Sequence, residues 1–303
     1  MSIADAIDAT GSDILHIQFP TNGYKDIRLL TWLLSTFRKM PKVVTLHEFS
    51  ALFGPRRLGL IPAGLPQLLK LTRADALIFS NEAERAVTRR WAPWSAKSAY
   101  VIPIGSSIEY GGGIVTRRRR LVHFGQAAPG KGIEDFNRVA ALIARSSVDL
   151  PTCFVGGVPP SSTKYADAIL EKLRKNGTDV ILNAPVDKVS NELASSEFAY
   201  LPFPDGATEK RSSLVAALGH GMIVVTRHSD ATPAWLKDCT IGADNADGCL
   251  TLVKALLEND KAREALREKA FASSRRFDWS EIARRHAGVY TAVLKRRHNG
   301  DHP

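Results

Sequence analysis

The sequence predicts an α/β protein of two domains, each built on a parallel sheet. Short apolar runs alternate with amphipathic helical patterns along most of the chain, which is typical of strands linked by crossover helices. The 303 residues, 44% of them hydrophobic, are enough for two separate cores. A glycine-rich and then basic segment, 105–120, interrupts the alternation and resembles a linker. We therefore expect domains at 1–112 and 113–303.

The first domain contains four runs that we interpret as strands. They are the segment 14–19, KVVTLH ending at His47, ALIFS and AYVIPI. Helical patterns at 29–37, 65–71 and 81–91 separate them, and a Gly/Pro-rich segment at 53–66 interrupts. Four strands are few for a doubly wound domain.

The second domain restarts the alternation with more strands. The runs LVHFG, TCFVGG, DVILN, FAYL and MIVVT predict strands, and 133–144, 165–175 and 188–195 predict helices between them. Mostly charged helices are expected to continue to Arg297.

The stretch 198–226 predicts a strand, a polar loop, a short helix and a second strand. Pro202 and Pro204 end the strand, because proline lacks the backbone donor that a central strand needs. Ser212 and Ser213 are candidates to cap the helix, whose free amides would point toward the crevice of a parallel sheet. Arg211 adds positive charge, which favours a bound phosphate. The alternative is an ordinary strand–helix turn with a solvated basic loop.

A second loop has a similar design. Gly125, Gly130 and Lys131 fit the phosphate-loop spacing Gly-x-x-x-x-Gly-Lys. Gly132 stands where a magnesium-binding Ser or Thr would be, which disfavours a nucleotide hydrolase. The lysine could instead stabilise a diphosphate leaving group without metal. It could also be a solvated side chain in a tight turn, but both loops should leave the same sheet edge.

Other motifs are missing or ambiguous. There is no Gly-x-Gly-x-x-Gly after a strand and no Asp-x-Asp pair, so neither a dinucleotide oxidoreductase nor a metal-dependent sugar transferase of the single-domain type is favoured. Three cysteines without metal-type spacing predict a reducing cytoplasm and no bound metal. His47 ends a predicted strand and is either a group at the crevice or a structural histidine, while His16 and His123 are interpreted as structural.

The net charge of +10 is not spread like a nucleic-acid footprint. The segment Arg117–Arg120 contributes four charges, and the region before it carries a further excess of basic residues. These residues predict weak attraction to an anionic membrane surface, at about 1 kcal/mol for each one near the lipid, and no nucleic-acid partner. The alternative for any single basic cluster is a plain solvated face. The amino terminus is not of signal-peptide type and no apolar run is long enough to span a bilayer, so we expect a cytoplasmic protein, peripheral at the inner membrane face.

The second half resembles family 4 of the retaining glycosyltransferases, and the likeness extends with gaps from His16 to the end. VHFGQAAPGKG is similar to the family's Gly-Arg…Lys-Gly loop, and LPFPDGATEKRSSLVAALGHGMIVV is similar to its donor-binding loop and helix. TLHEF, VIPIGSSI and FDWSEIARRH are similar to its His-Asp strand end, its Val-Ile-Pro-Asn-Gly segment and its terminal tryptophan helix. The resemblance implies a GT-B fold, with two Rossmann-like parallel-sheet domains facing across a cleft and the last helix returning toward the first domain.

The resemblance also implies a function. A sugar would move, with retention and without metal, from a UDP- or GDP-linked donor on the second domain to a glycan or lipid-linked acceptor on the first. His47 and Lys131 are the expected catalytic residues. The expected donor-binding residues are Gly125, Gln126, Lys131, Gly132, Gly206, Glu209, Arg211, Ser212 and Ser213.

The chain departs from the family's pattern at several positions. Gln126 replaces the loop arginine, and Thr208 and Ala216 stand where the family has paired glutamates, with Glu209 one position away. No counterpart of the family's opening strand and glycine-rich loop precedes Ile14. These departures keep open an alternative, a sugar-nucleotide-binding protein of GT-B fold without transferase activity.

Overall fold

The fold comes from a computed structural model that describes residues 3–20, 32–34, 40–47, 57–58, 61–62, 65–110, 112 and 116–299. The chain forms two compact units, Met1–Ile104 with Trp279–Pro303, and Gly105–Asp278. The first unit ends ahead of the boundary expected near Gly112 and takes in the carboxyl-terminal helix. Each unit contains a parallel sheet, so the α/β fold class predicted from the sequence is confirmed.

The first unit has a four-stranded parallel sheet in the order β1-β2-β5-β6. Its strands are β1 (Leu15–Pro20), β2 (Lys42–His47), β5 (Ala76–Phe79) and β6 (Ala99–Val101), and a separate antiparallel pair consists of β3 (Arg57–Leu58) and β4 (Ile61–Pro62). Among the described residues of this unit, the helices whose bounds are complete are α1 (Ile3–Asp8), α2 (Leu65–Leu71), α3 (Glu82–Trp91) and α11 (Trp279–His298). Most of the helix predicted at 29–37, and much of the segment at 53–66, lies outside the described residues.

Helix α11 packs on the sheet of the first unit. Its buried Ile282, Val289 and Val293 share a core cluster with Val43 of β2 and Ile78 of β5. Burying an aliphatic side chain of this size contributes about 1.5–3 kcal/mol. The apolar spacing along α11 therefore accounts for its place in the first unit.

The second unit has a six-stranded parallel sheet in the order β12-β11-β10-β7-β8-β9. The strands are β7 (Arg118–Gln126), β8 (Thr152–Gly157), β9 (Asp179–Leu182), β10 (Ser196–Leu201), β11 (Ile223–Thr226) and β12 (Ile241–Gly242). The helices are α4 (Ile133–Ala144), α5 (Thr163–Lys175), α6 (Val186–Ala194), α7 (Ser212–Gly219), α8 (Ala234–Cys239), α9 (Ala246–Leu257) and α10 (Asp260–Ser274).

Helices cover both faces of this second sheet. One core cluster joins β7, β8 and β10 to α4, α5 and α9, and another joins the same strands to α6, α7, α8 and α10. Strand β10 is buried along its whole length, as its continuous apolar run predicts for a central parallel strand. Since all strands are parallel, the loops that follow them leave the same edge, where such sheets bind ligands.

Candidate functional site

The loop between β7 and α4 carries the lysine predicted for phosphate binding. Gly130 and Gly132 both have positive φ, +75° and +81°, which residues other than glycine rarely adopt. Gly132 directly precedes α4, so Lys131 lies at the start of this helix. Lys131 is half-buried, and among the described residues it has no hydrogen-bond or ion-pair partner. The loop therefore presents a cation at a helix amino terminus.

The loop between β10 and α7 carries a second cation, Arg211, whose side chain contacts other residues of the same loop. The Arg211 guanidinium lies 5.0 Å from the centroid of the Phe203 ring and 3.5 Å from the Asp205 carboxylate. Gly206 has a φ of +89°, and a Cβ added there would lie 2.2 Å from the Ser229 hydroxyl. Glu209 is half-buried in the same loop.

The prediction that serines cap α7 is wrong. Arg211 occupies the cap position and makes no side-chain capping hydrogen bond, while Ser212 and Ser213 are the first two helical residues. The amides of Leu214 and Val215 both donate to the Arg211 carbonyl, at 2.9 and 3.0 Å. The amides of Ser212 and Ser213 stand at the positions where an α-helix offers no acceptor, so they contribute amide donors to the edge.

The two loops meet. Strands β7 and β10 are parallel neighbours, so their carboxyl ends lie side by side. A Cβ added to Gly132 would lie 2.3 Å from the Pro202 carbonyl oxygen, which means that the two backbones are in direct contact. Lys131 and Arg211 therefore belong to one edge, together with the exposed Gln126 that ends β7. Two cations beside helix amino termini form an arrangement suited to phosphate groups.

A third loop lies at this edge, and no motif in the sequence pointed to it. It follows β11, and its Arg227 donates to the Asp135 carboxylate of α4 at 3.1 Å and to the Asp244 carbonyl at 2.8 Å. The Arg227 carbonyl accepts the Ala207 amide at 2.8 Å, which ties this loop to the one after β10. The sequence did offer a signal for Arg227, because it directly follows the predicted strand MIVVT and a parallel sheet brings the carboxyl ends of its strands to the same edge.

His47 lies in the first unit, at the end of β2 and opposite Pro20 of β1. Its Nε2 is 3.0 Å from Gln18 Oε1, and Gln18 Nε2 is 3.2 Å from His16 Nε2. His16 also contacts Tyr290 and Thr45, so the polar ends of β1 and β2 are joined to α11. Gln18 was not singled out from the sequence, because only strand register brings it beside His47.

His16 and His123 are hydrogen-bonded within their units. Burial, with smaller contributions from His286 and His47, lowers the pKa of His16 to about 4. His123 is 1% exposed, stacks on Phe154 and lies 2.9 Å from the Tyr200 carbonyl, and burial lowers its pKa to about 4. Both are neutral at physiological pH, which fits the structural role expected of them.

The basic run Arg117–Arg120 is only in part the free surface that the sequence suggested, since Arg118 and Arg119 are exposed and Arg117 and Arg120 are not. Arg120 is 5% exposed and bonds Ser196 and the Glu192 carboxylate. Arg117 donates to the Ser196 and His220 carbonyls, at 3.1 and 2.7 Å, and Arg118 pairs with Glu192. Three of the four guanidinium groups therefore hold the second unit together, since their partners lie on neighbouring elements.

In the part of the chain that the structure describes, no group of three or more His, Cys, Asp or Glu side chains could hold a metal ion. No helix within the described ranges is long and apolar enough to cross a membrane.

Comparisons with known proteins place the fold. No protein-family model matches the chain, and no curated protein matches it. Solved structures do match over nearly the whole chain. HepE from Anabaena, in complex with UDP and glucose, has a TM-score of 0.67 at 15% identity, over 95% of this chain and 81% of HepE.

Two further structures are similar. A glycosyltransferase from Rickettsia africae has a TM-score of 0.69 at 13% identity, over 97% of this chain and 80% of that one. A UDP-forming α,α-trehalose-phosphate synthase from Burkholderia vietnamiensis has a TM-score of 0.62 at 15% identity, over 95% and 75%. At such identities the likeness concerns architecture, and the chain has the GT-B fold.

Proposed function

We propose that the protein is a glycosyltransferase that moves a sugar from a nucleotide diphosphate donor to a glycan or lipid-linked acceptor. The observation that carries the proposal is the contact between the loops after β7 and β10 at Gly132 and Pro202. This contact brings Lys131 and Arg211 to one edge of the second sheet, where a donor diphosphate would meet both cations.

The chemistry assigned to this edge is stabilisation of a leaving group. As the bond between the sugar and the diphosphate breaks, negative charge develops on the phosphate oxygens. Lys131, Arg211 and the first amides of α7 are preorganised donors for that charge. In this proposal the protein cations balance the diphosphate without metal, and Gln126, Gly125, Gly206, Glu209 and the two serines of α7 complete the donor contacts.

UDP-sugars are the first donors to test. HepE was solved with UDP and glucose, and the similar trehalose-phosphate synthase is UDP-forming. Retention follows from the resemblance to the retaining family, and we assign it here as part of the proposal. The anomeric proton coupling in the NMR spectrum of the transferred sugar would distinguish retention from inversion.

His47 lies in the first unit, which in this proposal holds the acceptor, and we assign it a role at the reacting centre. It ends a central strand at the carboxyl edge of its sheet, where parallel sheets present side chains to ligands. We propose that it contacts the donor sugar or the acceptor hydroxyl, with Gln18 holding its Nε2.

The test is incubation with UDP-, GDP- and ADP-sugars, with and without EDTA. We expect slow release of free nucleotide from one donor class, unchanged by the chelator. Tight donor binding without any hydrolysis or transfer, even with candidate acceptors present, would contradict the transferase proposal and indicate a binding protein. Complete inhibition by EDTA would contradict its metal independence.

A further inference from the structure

A cavity of about 590 Å³ lies on the second unit. It is away from the sheet edge that carries Lys131 and Arg211, which we call the donor edge. Arg117 immediately before β7 and Glu197 near the start of β10 contribute to its wall, so it opens at the amino-terminal edge of the sheet. Strand β7 has nine residues, and at about 3.3 Å each they separate the two edges by roughly 30 Å. The cavity is therefore distinct from the site of Lys131.

The cavity is built on a buried ion-pair network. Glu197 and Arg263 are 6% and 7% exposed, and Arg263 Nε lies 2.8 Å from the Glu197 carboxylate. Arg267 lies 3.6 Å from the same carboxylate. Arg263 also pairs with Asp260, and Arg267 with Glu264. This network fixes two arginines and satisfies all three acidic groups that line the cavity.

The side chains that line the cavity carry an excess of positive charge. Eight charged side chains line the cavity, five basic and three acidic, which leaves a net charge of +2. Arg117 is bound to two carbonyl groups and has no carboxylate partner among the described residues. Arg119 and Lys261 are exposed, and within the described ranges neither has a hydrogen-bond or ion-pair partner.

The amino terminus of α10 adds to this positive potential. Asp260 and Lys261 are its first two residues, and both line the cavity. The Asn259 side chain accepts the Ala262 amide at 2.9 Å, so the cap leaves the two preceding amides at positions without an intrahelical acceptor. A helix of 15 residues also places the positive end of its dipole here.

The surroundings of Arg117 disfavour its positive charge. Burial first, and then the neighbouring Arg267, lower the pKa of the Arg117 guanidinium, with smaller opposing contributions from Tyr110, Glu197 and Glu264. A bound anion would offset this repulsion, because it would lie among groups of the opposite charge.

We infer that this cavity binds a phosphate-bearing anion, a second site separate from the donor edge, in which Arg119 and Lys261 contact the phosphate and the Glu197–Arg263 pair supports the wall. The same chemistry could come from a soluble phosphate compound or from a phospholipid headgroup. The site does not require transferase activity.

The test uses inorganic pyrophosphate as the probe and isothermal titration of the full chain carrying Lys131→Ala, which weakens any binding at the donor edge. We expect one salt-sensitive binding event. In this background Arg119→Gln and Lys261→Gln should each reduce the affinity about five- to tenfold, because each removes a charged donor at a partly solvated site. Arg118→Gln is the matched control: it removes an adjacent charge that pairs with Glu192, and it should change the affinity less than about twofold.

Absence of binding would overturn the inference. So would an equal loss in Arg118→Gln, which would mean that only overall charge attracts the probe. Flotation with vesicles of phosphatidylglycerol and phosphatidylcholine then identifies the source of the anion. Flotation that Arg119→Gln and Lys261→Gln abolish assigns the site to a headgroup, and binding of pyrophosphate without flotation assigns it to a soluble phosphate. Since none of these measurements is turnover, their failure leaves the donor-edge proposal standing.

Discussion

Lys131 is the half-buried cation of the glycine loop, and its side chain should matter to chemistry more than to folding. Lys131→Ala should cost on the order of 3 kcal/mol in the transition state, a loss of roughly a hundredfold in turnover. Lys131→Arg should restore part of the rate, because a planar guanidinium keeps the charge but not the geometry. The measurement is turnover on the donor that the sugar panel identifies.

The control for Lys131 is Lys172→Ala, an exposed lysine in the last turn of α5. It should leave turnover unchanged. Near-normal turnover and affinity in Lys131→Ala would mean that the donor is held elsewhere.

His47 should affect turnover without affecting stability. Its imidazole is half-buried and bonded to the exposed Gln18, so little packing is lost in His47→Ala. A group acting in proton transfer or transition-state contact typically contributes about 10²–10⁴-fold, and we expect a loss in that range with a melting temperature close to that of the wild type.

Gln18→Leu is the companion variant for His47, because it removes the hydrogen bond to Nε2 but keeps the imidazole. It should give a smaller loss of turnover. A large drop in melting temperature with a proportionate loss of activity in His47→Ala would instead assign this histidine to the structure.

At the scale of elements, Gly132 fixes the contact between the two donor-edge loops. In Gly132→Ala the new methyl group would lie 2.3 Å from the Pro202 carbonyl oxygen, at a backbone with a φ of +81°. One loop must move, so we expect weaker nucleotide binding together with a loss of stability of about 1–3 kcal/mol. Calorimetric titration of the nucleotide and urea unfolding would measure the two effects.

Gly130→Ala distinguishes the effect of backbone strain at a positive φ from the effect of a clash between the two loops. Gly130 also has a positive φ, +75°, but an added Cβ would meet nothing within 4 Å. It should destabilise the protein by about 1 kcal/mol and leave nucleotide affinity almost unchanged. Equal losses of affinity in both variants would show that loop contact is not what matters.

The helices and strands were largely predictable from the sequence, but the hydrogen-bond and ion-pair partners of their polar side chains were not. Strand FAYL and helix 133–144 follow from local apolar periodicity, which the fold preserves. The role of Arg120 depends on Glu192 and Ser196, more than seventy positions away in sequence, so a run of four arginines looks solvated until the fold is known. Gln18 and Arg227 were missed for the same reason, since strand register and loop packing place them.

Ser212 and Ser213 show a limit of a different kind. A serine pair before an apolar run fits a cap, but the boundary of a helix shifts by a residue or two with its tertiary context. Here α7 begins at Ser212, and its cap position falls on Arg211.

At the scale of the whole molecule, buried histidines make stability depend on pH. Burial lowers the pKa of His16 in the first unit and of His123 in the second to about 4, from an ordinary value of 6.5. The unfolded chain binds these protons at higher pH than the folded protein does. The free energy of unfolding should therefore be highest above pH 6.5 and fall as the pH drops toward 4.

The fully buried His123 alone should contribute on the order of 3 kcal/mol to this fall, since each unit of pKa shift corresponds to about 1.4 kcal/mol. Urea unfolding between pH 7.5 and 4.5 would measure it. His123→Leu should make the profile less steep, with the contribution of His16 remaining, and a variant with the wild-type slope would contradict the assignment.

We propose that the loops after β7 and β10 form one donor site on the second unit. The most direct measurement is hydrogen exchange of the full chain with and without UDP, GDP or ADP, followed by peptide mass spectrometry. One nucleotide should protect the peptides covering 125–132 and 202–213 together, and Lys131→Ala should reduce the protection of both. Protection of only one of these peptides, or no protection of either by any of the three nucleotides, would contradict it.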